Sequence, residues 1–160
     1  MVEVISSWSE TGVVPGSASS GMTSRQTLEA TYASAHYEVR LEDGRTVAIR
    51  IGEPTPELAS ETFALITAFN PGSTTRTEKW NQEANARLEA RLRSLGSAYL
   101  AGRGMSPDGS HVEPSFAIFD ITREASLALA REFGQAAIVW FEGNGAELAW
   151  TEEAEGARGT

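Results

Sequence analysis

Phe63-Ala64-Leu65-Ile66-Thr67-Ala68-Phe69, closed by Asn70-Pro71-Gly72-Ser73, is the stretch on which the fold turns. Its apolar residues do not alternate with polar ones, so the run reads as a central strand covered on both faces. The four residues after it carry turn chemistry at every position. A helix follows, with Trp80, Ala84, Leu88, Leu92 and Leu95 as its apolar stripe and Gly96 placed to cap its end. On its wet face, Glu83 with Arg87 and Glu89 with Arg93 are expected i,i+4 pairs.

Working outward, Tyr37, Val39 and Leu41 alternate with His36, Glu38 and Arg40. After Glu42-Asp43-Gly44-Arg45, Val47, Ile49 and Ile51 alternate in turn, so the segment predicts a β-hairpin. A short helix is expected before it, over Arg25 to Ala33, with Ser24 as N-cap. Downstream, Ser97 to Ala101 predicts a strand, Gly102 to Gly109 a loop, and Phe116 to Ile121 a second strand apolar on both faces. Thr122 is a natural N-cap for a helix from Arg123 to Phe133, stopped by Gly134. Gln135 to Phe141 predicts a strand, and Glu142-Gly143-Asn144-Gly145 turns it into a terminal hairpin ending at Trp150. The expected fold is therefore α+β: a two-layer sandwich with a mostly antiparallel sheet, β-hairpins at both ends, and a ferredoxin-like β-α-β-β-α-β core order.

The chain has 160 residues, 41% of them apolar and 22% charged, which is globular composition for one domain. Residues 1–26 are rich in Ser and Gly and are expected to be a flexible leader, with Met22 an alternative start. Residues 27–151 make the single domain, and 152–160 a flexible acidic tail. The 13 basic and 22 acidic residues leave a net charge of −9, which disfavours a general nucleic-acid binder. Nor do Trp8, Trp80, Trp140 and Trp150 show a stacking pattern with basic residues. No stretch approaches the roughly 18–20 apolar residues of a membrane span. No signal-peptide pattern opens the chain, so a cytoplasmic setting is the default. Cysteine is absent, which removes disulfides, thiol catalysis and thiolate metal sites.

Three blocks carry a resemblance. Ile66-Thr67-Ala68-Phe69-Asn70-Pro71 leads to Asn81, Asn85, Leu88 and Leu92. His111-Val112-Glu113-Pro114-Ser115-Phe116 comes next. Phe133-Gly134-Gln135-Ala136-Ala137-Ile138-Val139-Trp140 is the last. In that order they resemble an uncharacterised bacterial family, the domain of unknown function DUF3293, over roughly residues 28–150. Two positions depart from the family pattern: Trp80 stands where a carboxylate usually precedes the first helix asparagine, with Glu78 two residues earlier, and Ala136 stands where an asparagine often follows the glutamine. The resemblance implies a compact domain starting near Met22 and brings no activity with it.

His111, Glu113 and Ser115 would share one face of a strand, with Asp108 in the loop before them. An imidazole beside a carboxylate is an acid–base pair, which makes His111 and Glu113 the catalytic candidates. The competing reading has Glu113 accepting backbone N–H groups and His111 solvated. Two histidines cannot supply a three-His zinc site; a carboxylate-rich Mg²⁺ site stays open although no spacing supports it, so no metal is assigned and the sequence names no cofactor.

Thr67, Asn70 and Ser73, between strand and helix, could meet an anion or a base; equally, Asn70 could form an Asx-turn. Asn81 and Asn85 lie one helical turn apart on one face, and either line a pocket or pin the loop. A buried Gln135 fixes sheet geometry or reads a ligand amide. Gly102-Arg103-Gly104 is a weak glycine signal. There is no P-loop and no Gly-x-Ser-x-Gly elbow. Taken together, these residues predict a domain that binds a small polar or anionic, nucleotide-like ligand. Thr67, Asn70, Ser73, Asn81, Asn85, Glu113, Ser115 and Gln135 are its site residues. A hydrolase or transferase using Glu113 and His111, and an acidic protein-interaction module, are the alternatives.

Overall fold

The computed structural model describes residues 24–71 and 75–151. Residues 1–23 of the expected leader, Ser73, and the tail 152–160 lie outside the described residues. The helix expected over Arg25 to Ala33 is present and spans Ser24–Ser34.

Among the described residues there are three α-helices and a seven-stranded sheet. The helices are α1 (Ser24–Ser34), α2 (Glu78–Ser94) and α3 (Arg123–Glu132). The strands are β1 (His36–Arg40), β2 (Thr46–Ile49), β3 (Phe63–Ile66), β4 (Ala98–Met105), β5 (Val112–Phe119), β6 (Ala137–Glu142) and β7 (Gly145–Trp150). A 3₁₀ turn covers Pro56–Leu58. The strands lie in the order β2-β1-β4-β5-β3-β6-β7, and every neighbouring pair is antiparallel. The β1–β2 and β6–β7 hairpins form its two ends. None of the described helices is long and apolar enough to cross a membrane.

β3 sits among its neighbours as its unbroken apolar run requires, with all four residues buried. Ala64 and Ile66 face a core with Ala84, Leu88 and Leu92 of α2 and Leu127, Leu129 and Ala130 of α3. Burying each leucine is worth about 1.5–3 kcal/mol, so this face alone fixes both helices on the sheet. Thr77 and Thr122 cap those helices, accepting hydrogen bonds from Trp80 N at 3.1 Å and Ala125 N at 3.0 Å. Gly96 and Gly134 end the helices in left-handed conformation, at φ 70° and 75°. Leu95, expected in the stripe of α2, falls past its end and is exposed.

Phe63 and Leu65 point the other way, into a second core with Tyr37, Val39, Ile49, Val139 and Phe141. Here the sheet curls on itself. The chain after β2 bridges to β7 through Ile51–Ala146 and Pro54–Gly145, and Thr55 N donates to Asn144 O at 2.7 Å. α1 closes this side, with Tyr32 stacked on Trp150 at 5.4 Å.

The expected loop from Gly102 to Gly109 is corrected. β4 continues to Met105, paired with β5 from Ala98↔Phe119 to Met105↔Val112. Gly102 serves close packing and does not form a turn: a Cβ there would lie 2.7 Å from Leu65 Cδ1 and 2.9 Å from Glu38 O. The turn comes later, where Ser106 N donates to His111 O at 3.0 Å.

Candidate functional site

β5 extends past the end of β3, which stops at Ile66 opposite Phe116. The Pro114 carbonyl therefore lies beyond the β3 ladder and takes side-chain donors: Thr67 Oγ1 at 2.7 Å and Asn85 Nδ2 at 2.9 Å. Asn85 Oδ1 in turn accepts from Ala68 N at 2.7 Å. One helical asparagine thus binds the departing strand and the overhanging one together.

One turn earlier on α2, Asn81 and Asn70 form a reciprocal pair. Asn70 N donates to Asn81 Oδ1 at 2.7 Å, and Asn81 Nδ2 donates to Asn70 Oδ1 at 2.8 Å. Asn70 Oδ1 also accepts from Arg76 N at 2.7 Å, and its Nδ2 donates to Glu113 Oε2 at 2.9 Å. Its backbone sits at φ 45°, in the left-handed region that asparagine tolerates better than most residues. Gln135, two residues before β6, reaches the same chain, its Nε2 donating to Phe69 O at 3.3 Å.

Thr67, Asn70, Asn81, Asn85, Glu113, Ser115 and Gln135 are all buried. Glu113, 2% exposed, shares the concave face of β5 with Ser115 and Ala117. Its register partner is Gly104, whose own partner across β1 is Tyr37. With no side chain on Gly104, carboxylate and phenol are brought near each other. Burial first, then Tyr32 and Glu113, push the Tyr37 phenol well above its ordinary value, and its hydroxyl donates to Tyr32 O at 2.8 Å. Ser115 Oγ is buried with no hydrogen-bond partner among the described residues.

His111 is not part of this network. Its Nδ1 lies 3.0 Å from Ser110 Oγ, on the turn that closes the β4–β5 hairpin. Asp108 organises that turn, accepting from Ser110 N, Ser110 Oγ and Ser106 Oγ. Those donors lower its carboxyl to about 2. The alternation rule placed His111 beside Glu113, but the strand begins at Val112, so the histidine belongs to the turn. No group of three or more His, Asp or Glu that could hold a metal ion occurs among the described residues.

A different pairing escaped the sequence reading. Arg76 and Arg87 lie over the Trp80 indole, at 4.8 and 5.9 Å from its centroid. The expected Glu83–Arg87 pair is absent among the described residues, because Glu83 turns to Lys79 at 3.9 Å, while Glu89–Arg93 forms at 3.1 Å. The i,i+7 spacing of Trp80 and Arg87 was a usable signal; Arg76, before the helix cap, offered none.

A family model described as a protein of unknown function (DUF3293) matches residues 66–138. No curated protein and no solved structure matches the chain.

Proposed function

We propose that the domain carrying this DUF3293 segment is a binding module for a small polar or anionic, nucleotide-like ligand, engaged at the sheet end where Asn70 meets Glu113. The observation that carries the reading is the Glu113 carboxylate, buried beside a buried phenol and tied to a left-handed asparagine. Burying a carboxylate is costly for folding, and such groups concentrate where ligands are recognised. The matched residues 66–138 contain Thr67, Asn70, Asn81, Asn85, Glu113, Ser115 and Gln135 together. A rigid, pre-bonded cluster also lowers the ordering cost of binding. The acid–base alternative draws less support, since His111 bonds to Ser110 on a separate turn.

We also read the core order β3-α2-β4-β5-α3-β6 as ferredoxin-like and two-layered. The spatial order β6-β3-β5-β4, with both helices on one face, supports that reading.

The test is thermal unfolding of the full chain with AMP, ADP and inorganic phosphate, for the parent and for Glu113→Gln. A ligand at about a hundred times its Kd stabilises the folded state by about 2.7 kcal/mol. The parent should therefore show a raised Tm that the variant, folded by circular dichroism, lacks. No response to any of the three in the parent, or an equal response in both proteins, counts against the proposal.

A further inference from the structure

We infer that the cleft between α2 and α3, beside Trp80, is a second site, separate from the sheet-end cluster, for a planar aromatic carboxylate. The cleft has a volume of about 330 Å³, within the size range of small-molecule pockets. Ala68, Pro71 and Phe133 line it together with Trp80, Arg87 and Glu132.

Three observations select the occupant. The first is charge. In a chain of net charge −9, Arg76 and Arg87 both lie over one indole, and neither has a carboxylate partner among the described residues. Glu132, which also lines the cleft, is engaged by Arg91 at 2.9 Å, and Glu83 by Lys79. The second is chemistry. A guanidinium can lie against an aromatic face and still offer its N–H donors to a carboxylate bidentately. The third is the apolar lining. Ala68, Pro71 and Phe133 offer apolar surface to a ring whose carboxylate is held at Arg87. Asn70 joins this site to the rest of the fold, since its Oδ1 holds Arg76 N at 2.7 Å and so positions the residue that carries one of the two cations.

The probe is sodium benzoate, titrated into the full chain while the indole N–H resonance of Trp80, assigned with Trp80→Phe, is followed by NMR. Cyclohexanecarboxylate supplies the same charge without the aromatic face, and benzyl alcohol the ring without the charge. A saturable shift with benzoate is expected, at least tenfold weaker with either control. The Arg76→Gln/Arg87→Gln double variant, unchanged in circular dichroism, should weaken benzoate at least tenfold. Glu113→Gln should leave benzoate binding intact, so failure at the sheet end and failure at this cleft are read separately. Absence of a saturable shift, equal binding of cyclohexanecarboxylate, or benzoate affinity unchanged in the double variant overturns the proposal.

Discussion

Asn70 and Glu113, 43 residues apart in the chain, are joined by a buried hydrogen bond of 2.9 Å from the amide Nδ2 to the carboxylate Oε2. The bond ties the chain leaving β3 to the overhang of β5. Because Asn70 also holds Arg76 N and Asn81, a single side chain sets the direction of the chain between β3 and α2.

Replacing Asn70 separates backbone from side-chain effects. Asn70→Gly tolerates φ 45° without strain but withdraws the donor to the buried carboxylate, a loss of roughly 1–3 kcal/mol. Asn70→Ala loses the same bonds and adds a left-handed penalty of about 1–2 kcal/mol. Urea unfolding should rank the parent above the glycine variant and that above the alanine variant. Equal midpoints for the two variants would show that the backbone carries no strain.

Gly102→Ala should destabilise by about 1–3 kcal/mol, the usual cost of overpacking. The new methyl would stand 2.9 Å from the backbone oxygen of Glu38, which cannot swing away, and 2.7 Å from Leu65 Cδ1. A urea midpoint equal to the parent's would mean that β1 and β4 separate more readily than their pairing implies.

Asp108 titrates low, at about 2, because Ser110 N, Ser110 Oγ and Ser106 Oγ all donate to it. A depressed folded value means that its contribution to stability is present above the ordinary carboxylate range and is lost as pH falls toward 2. Asp108→Asn should flatten the acid limb of the stability curve between about pH 4 and pH 2. The Asp108 carboxyl resonance in the parent should move only at the low end of that window; a midpoint near 4 would contradict the turn geometry.

Tyr37 carries the opposite sign. Its phenol is raised above the ordinary value of 10.0 by burial, then by Tyr32 and Glu113. Folding therefore favours the protonated form, and that contribution holds below pH 10 and fades as pH rises through the folded value. Alkaline unfolding, followed by tyrosinate absorbance together with circular dichroism, should show the Tyr37 phenol ionising only as the chain unfolds. Tyr37→Phe should shift that unfolding to higher pH, although it loses the bond to Tyr32 O. A tyrosinate signal from Tyr37 in the still-folded protein would refute the burial argument.

Much of the fold was legible because local chemistry specifies local structure. The Asp43-Gly44 turn, the Thr122 cap, Gly96 and Gly134 as helix stops, and the unbroken run of β3 each act within a few residues of themselves. The polar cluster was legible as a set: asparagines at one-turn spacing in a helix and a Glu on an alternating strand call for partners. Misreadings arose where a residue answers to neighbours far away in sequence. Gly102 looks like a loop glycine until β1 and Leu65 are packed against it. His111 looks like a partner of Glu113 until the strand is seen to begin one residue later. Arg87 looks committed to Glu83 until Lys79 takes that carboxylate.

The order of amino acids alone settles where most of the helices and strands lie and which residues are too polar to be buried without partners, because propensity, periodicity and capping operate over one or two turns of chain. Only the tertiary structure decides that Asn70 bonds Glu113, that Gly104 lets Tyr37 approach that carboxylate, and that the sheet curls until Ile51 meets Ala146. Those pairings follow from strand order and sheet curvature, which depend on how all the apolar faces are buried at once.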